Sequence, residues 1–194
     1  MSNKVFLIIC FAFSVALSFS QTKNEKEERI KKEAFPKIAL LSLDALPQSC
    51  NRFKFYRETD GDKKSYEVKF KYNRKLYSVE FNSEGILEDV EVKIKPKSIP
   101  LGIHTNIKTY LKGNFDKYKL IKVQEQYIYS GESFGNEYLK TILLNTKATP
   151  PNFEIIAEVK QNKKRTIKEF TFNSKGEFLS ARILNRTSYE HVLY

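Results

Sequence analysis

"FNSEG", residues 81–85, and "FNSKG", residues 172–176, are two copies of one short motif. In each copy a Phe ends a stretch of alternating apolar and polar residues, and the Gly suits a turn that needs a positive φ. A further alternating stretch follows each Gly. The motif therefore predicts that both halves of the chain contain a similar β-meander, in which the glycine turn leads into the last strand.

Apolar and charged residues alternate with a period of two around each copy of the motif, which is typical of half-buried strands. We expect the apolar side chains to line one face of an antiparallel sheet and the charged side chains to form an ordinary solvated face. The alternating stretches are residues 66–72, 77–81 and 90–94 around the first copy, and 153–159, 170–172 and 181–183 around the second.

An amphipathic helix is predicted upstream of each meander. Each begins after a Pro that follows a large apolar residue, Phe35-Pro36 and Ile99-Pro100, and Pro is favoured in the first turn of a helix. A strand is expected after each helix, at residues 53–58 and 119–127. The apolar stripes, at spacings of four and three, are Ala39, Leu43 and Leu46 in the first helix and Ile103, Ile107 and Tyr110 in the second.

The fold class that follows is α+β, with two tandem repeats that each contain one helix and a four-stranded antiparallel meander. Neither unit has much core alone, so we expect both to share one sheet with the helices packed on one face. The predicted boundaries are repeat one at residues 35–97 and repeat two at residues 98–194, with an insertion at about 127–152.

These residues resemble the PepSY-like proteins, whose fold is similar to that of the β-lactamase inhibitor protein. The resemblance covers residues 35–185 and rests mainly on structural positions. It implies a secreted or periplasmic protein of the kind common in Bacteroidota, and it implies no catalytic residues. The matching positions are Pro36 and Pro100, Tyr66-Glu67-Val68 and Phe153-Glu154-Ile155, and the two FNSxG motifs.

The N-terminus has the layout of a secretory signal peptide, residues 1–20, cleaved after about Ser20. A membrane anchor is the alternative, but the apolar run is short for a bilayer, so we expect no transmembrane segment after cleavage. Cys10 lies inside that run, which argues against a lipid-attachment site. Residues 21–34 are polar and are predicted to be a flexible segment. Cys50 is then the single cysteine, either buried or free for an intermolecular bond.

The chain is basic, with 34 Lys and Arg against 23 Asp and Glu. Such charge often indicates nucleic acid, but an exported protein rarely meets it, so we predict no nucleic-acid partner. Two binding hypotheses remain. One is another envelope or extracellular protein, bound by the insertion; the other is an anionic glycan or lipid surface. The residues are Tyr127, Tyr129, Phe134 and Tyr138 for the first, and Lys160, Lys163, Lys164, Arg165 and Lys168 for the second.

The same insertion could instead be a longer hairpin without a role, in which "YLKTILLNT" adds a strand or a helical turn. No catalytic, metal-binding or cofactor-binding residues are predicted. His104 and His191 have no partner at ligand spacing, and a reactive pair of Cys50 with His104 lacks any activating signature. The sequence therefore predicts a non-catalytic binding module. A pocket with two polarised titratable groups would favour an enzyme instead.

Overall fold

A computed structural model describes residues 22–23, 25–131, 134–144 and 152–185. The predicted signal peptide, Cys10 and His191 lie outside these residues. Among them are ten strands and three α-helices. The helices are α1 (Lys37–Leu43), α2 (Leu101–Asn114) and α3 (Gly135–Leu143). The strands are β1 (Thr22–Lys23), β2 (Glu25–Ile30), β3 (Asn51–Asp60), β4 (Lys63–Tyr72), β5 (Lys75–Asn82), β6 (Leu87–Lys93), β7 (Lys117–Ile128), β8 (Asn152–Gln161), β9 (Lys164–Asn173) and β10 (Phe178–Leu184).

All ten strands belong to one sheet. From β3 to β10, each strand pairs antiparallel with the next strand along the chain. Short turns join the paired strands within each meander, except that the insertion with α3 joins β7 to β8. The two meanders meet where β6 pairs with β7, which follow each other along the chain with α2 between them. The predicted α+β fold with one antiparallel sheet is therefore confirmed. The origin of its two halves as repeats stays a prediction.

The N-terminal segment joins the two edges of this sheet. β1 pairs parallel with β10, and β2 pairs antiparallel with β3, although only one residue separates β1 from β2. The strand order therefore closes on itself, and this segment covers hydrogen-bonding groups that open edges would expose. The Asp60 carboxylate also lies 3.4 Å from the Arg182 guanidinium, so β3 and β10 approach each other directly.

The prediction of a flexible segment at residues 21–34 is thus wrong for the described part of it. The sequence was read as a polar linker because it is almost entirely charged. Its charges instead alternate between the two faces of a strand, and inward ones meet opposite charges on other strands, such as Lys69 of β4 for Glu27. Ion pairs and strand pairing at the sheet edges therefore hold this segment in a defined structure, which its charged composition did not indicate.

The outer face of the sheet contains two apolar clusters under the helices. Ala39 of α1 and Phe35 pack on the first meander, and Ile107 and Leu111 of α2 pack on the second. α2 has 14 residues and α1 only 7. The first cluster is therefore completed by α3, which buries its apolar side on the first meander. These α3 residues are Leu139, Ile142 and Leu143.

The insertion at about 127–152 thus has a structural role where it is described. Gly135 lies against α1 and β6: a Cβ at this position would be 3.2 Å from the Ser42 hydroxyl oxygen and 3.5 Å from Leu87. The helical alternative for "YLKTILLNT" is confirmed over residues 138–143, which lie in α3. A helix inserted in the second half of the chain covers the part of the first meander that the short α1 leaves open.

Candidate functional site

The inner face of the sheet is charged and encloses a narrow lumen of about 90 Å³. Nine carboxylates and four basic groups line it, so its formal charge is opposite in sign to that of the whole chain. Glu58 is 4 % exposed and Glu169 is 2 % exposed. The prediction of an ordinary solvated face is therefore wrong for this part of the sheet, because closure of the sheet turns the charged side chains inward.

Lys69 organises the first group of lumen carboxylates. Its ammonium lies 2.8 Å from Glu27 and 3.0 Å from Glu67. Ser78 donates a hydrogen bond to Glu67, and Ser65 donates one of 3.3 Å to Glu58. Glu67, Lys69 and Ser78 point inward because they alternate with apolar residues that face the helices.

Glu58 and Glu67 share one proton. Burial, together with the charge of Glu67, raises the pKa of Glu58 to about 12. Burial would raise the pKa of Glu67 as well, but the Lys69 charge and hydrogen bonds from Glu58, Ser78 and Lys69 lower it. The protonated Glu58 therefore donates a hydrogen bond to the ionised Glu67, and the buried pair avoids a repulsion between two negative charges.

Glu169 is the centre of a second group. It lies 3.0 Å from the Lys23 ammonium and 2.5 Å from the Arg182 guanidinium. Burial alone would raise the pKa of Glu169, but the two cations lower it below its ordinary value. Lys23 also contacts Glu25 at 2.7 Å. The N-terminal segment is therefore tied to the lumen by charge as well as by backbone hydrogen bonds.

A third group consists of carboxylates that face amides. Gln124 donates to Glu91 and, at 3.4 Å, to Glu154, and Gln126 donates to Asp89 at 2.9 Å. Burial raises the pKa of each of these three acids, and neighbouring carboxylates raise it further. The lumen therefore limits its negative charge by retaining protons.

Three lumen carboxylates, of Glu27, Glu58 and Glu67, lie close enough together for one oxygen of each to contact a single cation. The Lys69 ammonium already pairs with two of them, and the third keeps its proton. A substrate would also have little space beside the polarised pair of Glu58 and Glu67, because the lumen has room for a few water molecules but not for an organic substrate. The absence of a metal site and of catalysis stays a prediction.

The two ends of the strands differ strongly in charge. We define the basic end as the terminal two residues of each of the strands β3 to β10, with the β4–β5 and β8–β9 turns, at the end where β3 begins. It contains ten basic residues and no acidic residue among the described residues: Arg52, Lys71, Arg74, Lys75, Lys93, Lys117, Lys160, Lys163, Lys164 and Arg165. The opposite end, defined likewise with its three turns, contains Lys63, Lys64 and Lys175 and the acids Asp60, Asp62, Glu84, Glu88 and Glu177.

The predicted lysine-rich site falls on this basic end. Lys163 and Lys164 are exposed at the β8–β9 turn, while Arg165 pairs with Glu158. Lys160 is half-buried near the end of β8. Lys168 lies farther along β9, over the Phe115 ring at 5.6 Å. The structure thus adds basic residues from β3, β4, β5, β6 and β7, which sequence reasoning missed because they are far apart along the chain.

The predicted aromatic site is mostly packed inside the protein. Tyr127 is 5 % exposed and belongs to the first apolar cluster. The Tyr129 and Tyr138 rings are 5.4 Å apart, and the Tyr138 hydroxyl donates to the Ile128 carbonyl at 2.8 Å. Phe134 differs, since 75 % of it is exposed. A binding role for these residues stays a prediction, and Phe134 is the one that a partner could reach directly.

Cys50 and His104 lie on different parts of the outer layer. Cys50 is a free thiol buried in the first apolar cluster, as one of the two sequence-based alternatives predicted. Burial raises its pKa, which opposes formation of a reactive thiolate. His104 is half-buried on α2, against the second meander.

Comparisons with known proteins identify the fold. The sequence matches no protein-family model and no curated protein. A DUF2874 family protein from Bacteroides ovatus has a similar structure, with a TM-score of 0.52 and 12 % identity over 77 % of this chain and 87 % of its own. A protein of Bacteroides eggerthii that is provisionally assigned to the periplasm has a TM-score of 0.50 and 11 % identity over 77 % and 88 %.

A BLIP-like protein from Bacteroides fragilis has a TM-score of 0.48 and 13 % identity, over 77 % of this chain and 86 % of its own. At the identities of the first two proteins, the likeness shows a shared fold alone. The relationship to PepSY-like proteins stays a prediction. Among the described residues, none of the helices has the length and apolar character that crossing a bilayer requires.

Proposed function

We propose that this chain is a non-catalytic binding protein, exported to the periplasm or secreted, that binds an anionic surface of the cell envelope through its basic end. The closed sheet forms a barrel. The observation that carries this proposal is the difference in charge between the two ends of this barrel. Acidic side chains are concentrated in the lumen, where ion pairs and protons neutralise them. The cations of the basic end are left to act on an external partner.

Export is supported by the N-terminal sequence and by one of the two fold neighbours, which is provisionally assigned to the periplasm. An envelope protein meets anionic lipid headgroups and acidic glycans, and both are bound by clusters of Lys and Arg. We also infer a duplication as the origin of the fold, because α1 with β3 to β6 and α2 with β7 to β10 repeat one element order.

The test is binding to phosphatidylglycerol vesicles and to beads that carry a sulfated glycan. The main variant replaces Lys163, Lys164 and Arg165 by Gln. We expect it to lose about tenfold or more in affinity for at least one of these surfaces, at low salt. Affinity of the unmodified protein should fall steeply as salt rises, because screening shortens the range of the attraction.

The matched control replaces Lys63, Lys64 and Lys175 at the opposite end by Gln, which removes the same charge from the protein. It should bind within about twofold of the unmodified protein. Equal losses in both variants would show that net charge alone drives binding and would refute a role for the basic end. Binding that does not respond to salt would refute the proposal as a whole.

A protein partner is a second candidate, supported by the exposed Phe134 ring beside α3. Aromatic side chains are frequent anchors of interfaces. Phe134→Ala should then weaken capture of an envelope protein that the unmodified chain retains, with no change in melting temperature. Unchanged capture would exclude this candidate.

A further inference from the structure

A second and wider cavity, of about 330 Å³, adjoins the lumen at the basic end. It shares Lys69, Ser78, Glu91 and Lys122 with the lumen and extends to residues of the basic end. Its volume falls in the range of small-molecule sites, unlike that of the lumen. It is therefore the place in the described structure where an organic ligand fits between the lumen and solvent.

The charge of this cavity favours an anion. Three of its cations, Arg52, Lys54 and Lys93, have no carboxylate within ion-pair distance among the described residues. Glu91 is the single carboxylate in its wall. Burial raises the pKa of Glu91, which limits the negative charge that an anionic ligand would meet. The other two cations, Lys69 and Lys122, face lumen carboxylates.

A β-bulge places Arg52 at the mouth. The register of β3 against β4 shifts between Asn51 and Lys54, and Arg52 has a φ of 61°. A left-handed conformation is unfavourable for a residue with a side chain, and bulges redirect side chains at the ends of sheets. Here the bulge brings Arg52 and Lys54 into the wall of one cavity.

The remaining wall is partly apolar: Phe70, Leu76 and Tyr77 contribute to it beside Ser78 and Gln124. The Phe70 and Tyr77 rings stack at 5.4 Å but are only 2 % and 4 % exposed, so Leu76 supplies most of the apolar side-chain surface that a ligand can reach. Leu76 is 46 % exposed at the start of β5. Bare phosphate or sulfate would leave this surface in contact with water. A ligand that carries an apolar arm would cover it and gain the free energy of its burial.

We propose that this cavity binds one small anionic amphiphile, a phosphate or carboxylate group that carries an alkyl or aryl arm. This inference rests on the proposed function and specifies the ligand of the basic end. The anionic group contacts Arg52, Lys54 and Lys93, and the arm lies along the exposed Leu76 side chain. The same chemistry occurs in free amphiphiles and at the surface of an anionic membrane.

Calorimetry with decyl phosphate, inorganic phosphate and decanol tests the two requirements separately, with the amphiphiles below their micelle concentrations. We expect decyl phosphate to bind about tenfold or more tightly than either of the others, because only it satisfies both the cations and the apolar wall. Inorganic phosphate that binds as tightly would overturn the role of the arm. Decanol that binds as tightly would overturn the role of the cations.

Two variants locate the site. Lys54→Gln with Lys93→Gln should reduce the affinity for decyl phosphate about tenfold, and Leu76→Asn should reduce the advantage of decyl phosphate over phosphate. The control is Lys64→Gln with Lys175→Gln, which removes the same charge from exposed positions at the opposite end, outside the cavity. It should leave decyl phosphate binding within about twofold. Melting temperatures check that each variant folds.

Binding to phosphatidylglycerol vesicles distinguishes failure of this inference from failure of the proposed function. If vesicles bind but decyl phosphate does not, the cavity is overturned and the basic end remains a binding surface. If decyl phosphate binding falls equally in the cavity variant and in the control, the cavity is again overturned. If decyl phosphate binds as expected and vesicles do not, the ligand is a free amphiphile and the inference holds.

Discussion

Gly176 lies against the backbone of Ile103: a Cβ at Gly176 would be 2.6 Å from the Ile103 carbonyl oxygen. Asn106 strengthens this contact because its side-chain amide donates to the Lys175 carbonyl at 2.8 Å. Gly85 lies against α1 in the same way, with a Cβ 3.0 Å from the Ala39 nitrogen. Each FNSxG turn therefore supports the first turns of the helix that covers its own meander.

Gly176→Ala should lower the free energy of unfolding by more than the left-handed φ alone explains. Gly176 has a φ of +78°, and a close contact adds to the cost of that conformation. Gly61→Ala is the matched control, since Gly61 has a φ of +61° with no atom within 4 Å of its Cβ. We expect a loss of about 1 to 2 kcal/mol for Gly61→Ala and a clearly larger loss for Gly176→Ala by urea unfolding. Equal losses would contradict the contact.

The inserted helix α3 should contribute to the stability of the whole fold. Leu139 is fully buried in the first apolar cluster, so Leu139→Ala should cost about 2 to 5 kcal/mol. Leu144→Ala, at an exposed position one residue after α3, should change the free energy of unfolding by less than about 0.5 kcal/mol. A small effect of Leu139→Ala would mean that the insertion is a dispensable loop.

The strands and the two main helices could be predicted from sequence because their apolar residues follow the periods of 2 and 3.6 closely. The period identifies two faces of a strand but not what lies beyond each face. Glu67 alternates with Tyr66 and Val68 whether it faces water or a closed lumen. The lumen depends on the pairing of β1 with β10 and β2 with β3, which no local pattern reveals.

The role of the insertion was partly readable. Leu139, Ile142 and Leu143 have the spacing of one face of a helix, but the aromatic residues beside them were interpreted as an exposed binding site. Tyr127 and Tyr138 pack with the first apolar cluster, and a binding role for them stays a prediction. The basic end could not be predicted in full, because its ten cations come from five separate parts of the chain.

Glu58→Gln should stabilise the protein, and the gain should grow as the pH rises. In the unfolded chain Glu58 loses its proton near its ordinary pKa of 4.5, whereas in the folded protein it keeps it up to about 12. Between these values the unfolded state binds fewer protons, so the stability that Glu58 contributes is present at low pH and falls as the pH rises, by up to about 1.4 kcal/mol per pH unit. A Gln side chain at this position can donate the same hydrogen bond to Glu67, and it has no titrating proton that folding must retain as the pH rises.

Glu169→Gln is the matched variant with the opposite sign. In the folded protein, burial alone would raise the pKa of Glu169, but the charges of Lys23 and Arg182 lower it below its ordinary value. Its contribution is therefore present above the ordinary pKa of 4.5 and is lost as the pH falls through the lowered pKa. Thermal melts from about pH 3 to pH 9 should show a penalty for Glu169→Gln that shrinks in acid. Parallel pH profiles for both variants would contradict these assignments.

Removal of the N-terminal strand segment, Thr22–Ile30, should destabilise the barrel and promote association. The deletion exposes the backbone groups of β3 and β10 and leaves Glu169 without Lys23 and Lys69 without Glu27. Unpaired edges are templates for pairing with another chain. We expect a lower melting temperature and a concentration-dependent increase in mass by light scattering. Arg57→Gln is the control, because it removes only the exposed pair with Glu28, and exposed ion pairs contribute little to stability. A truncated protein that stays monomeric with an unchanged melting temperature would show that the remaining sheet closes without this segment.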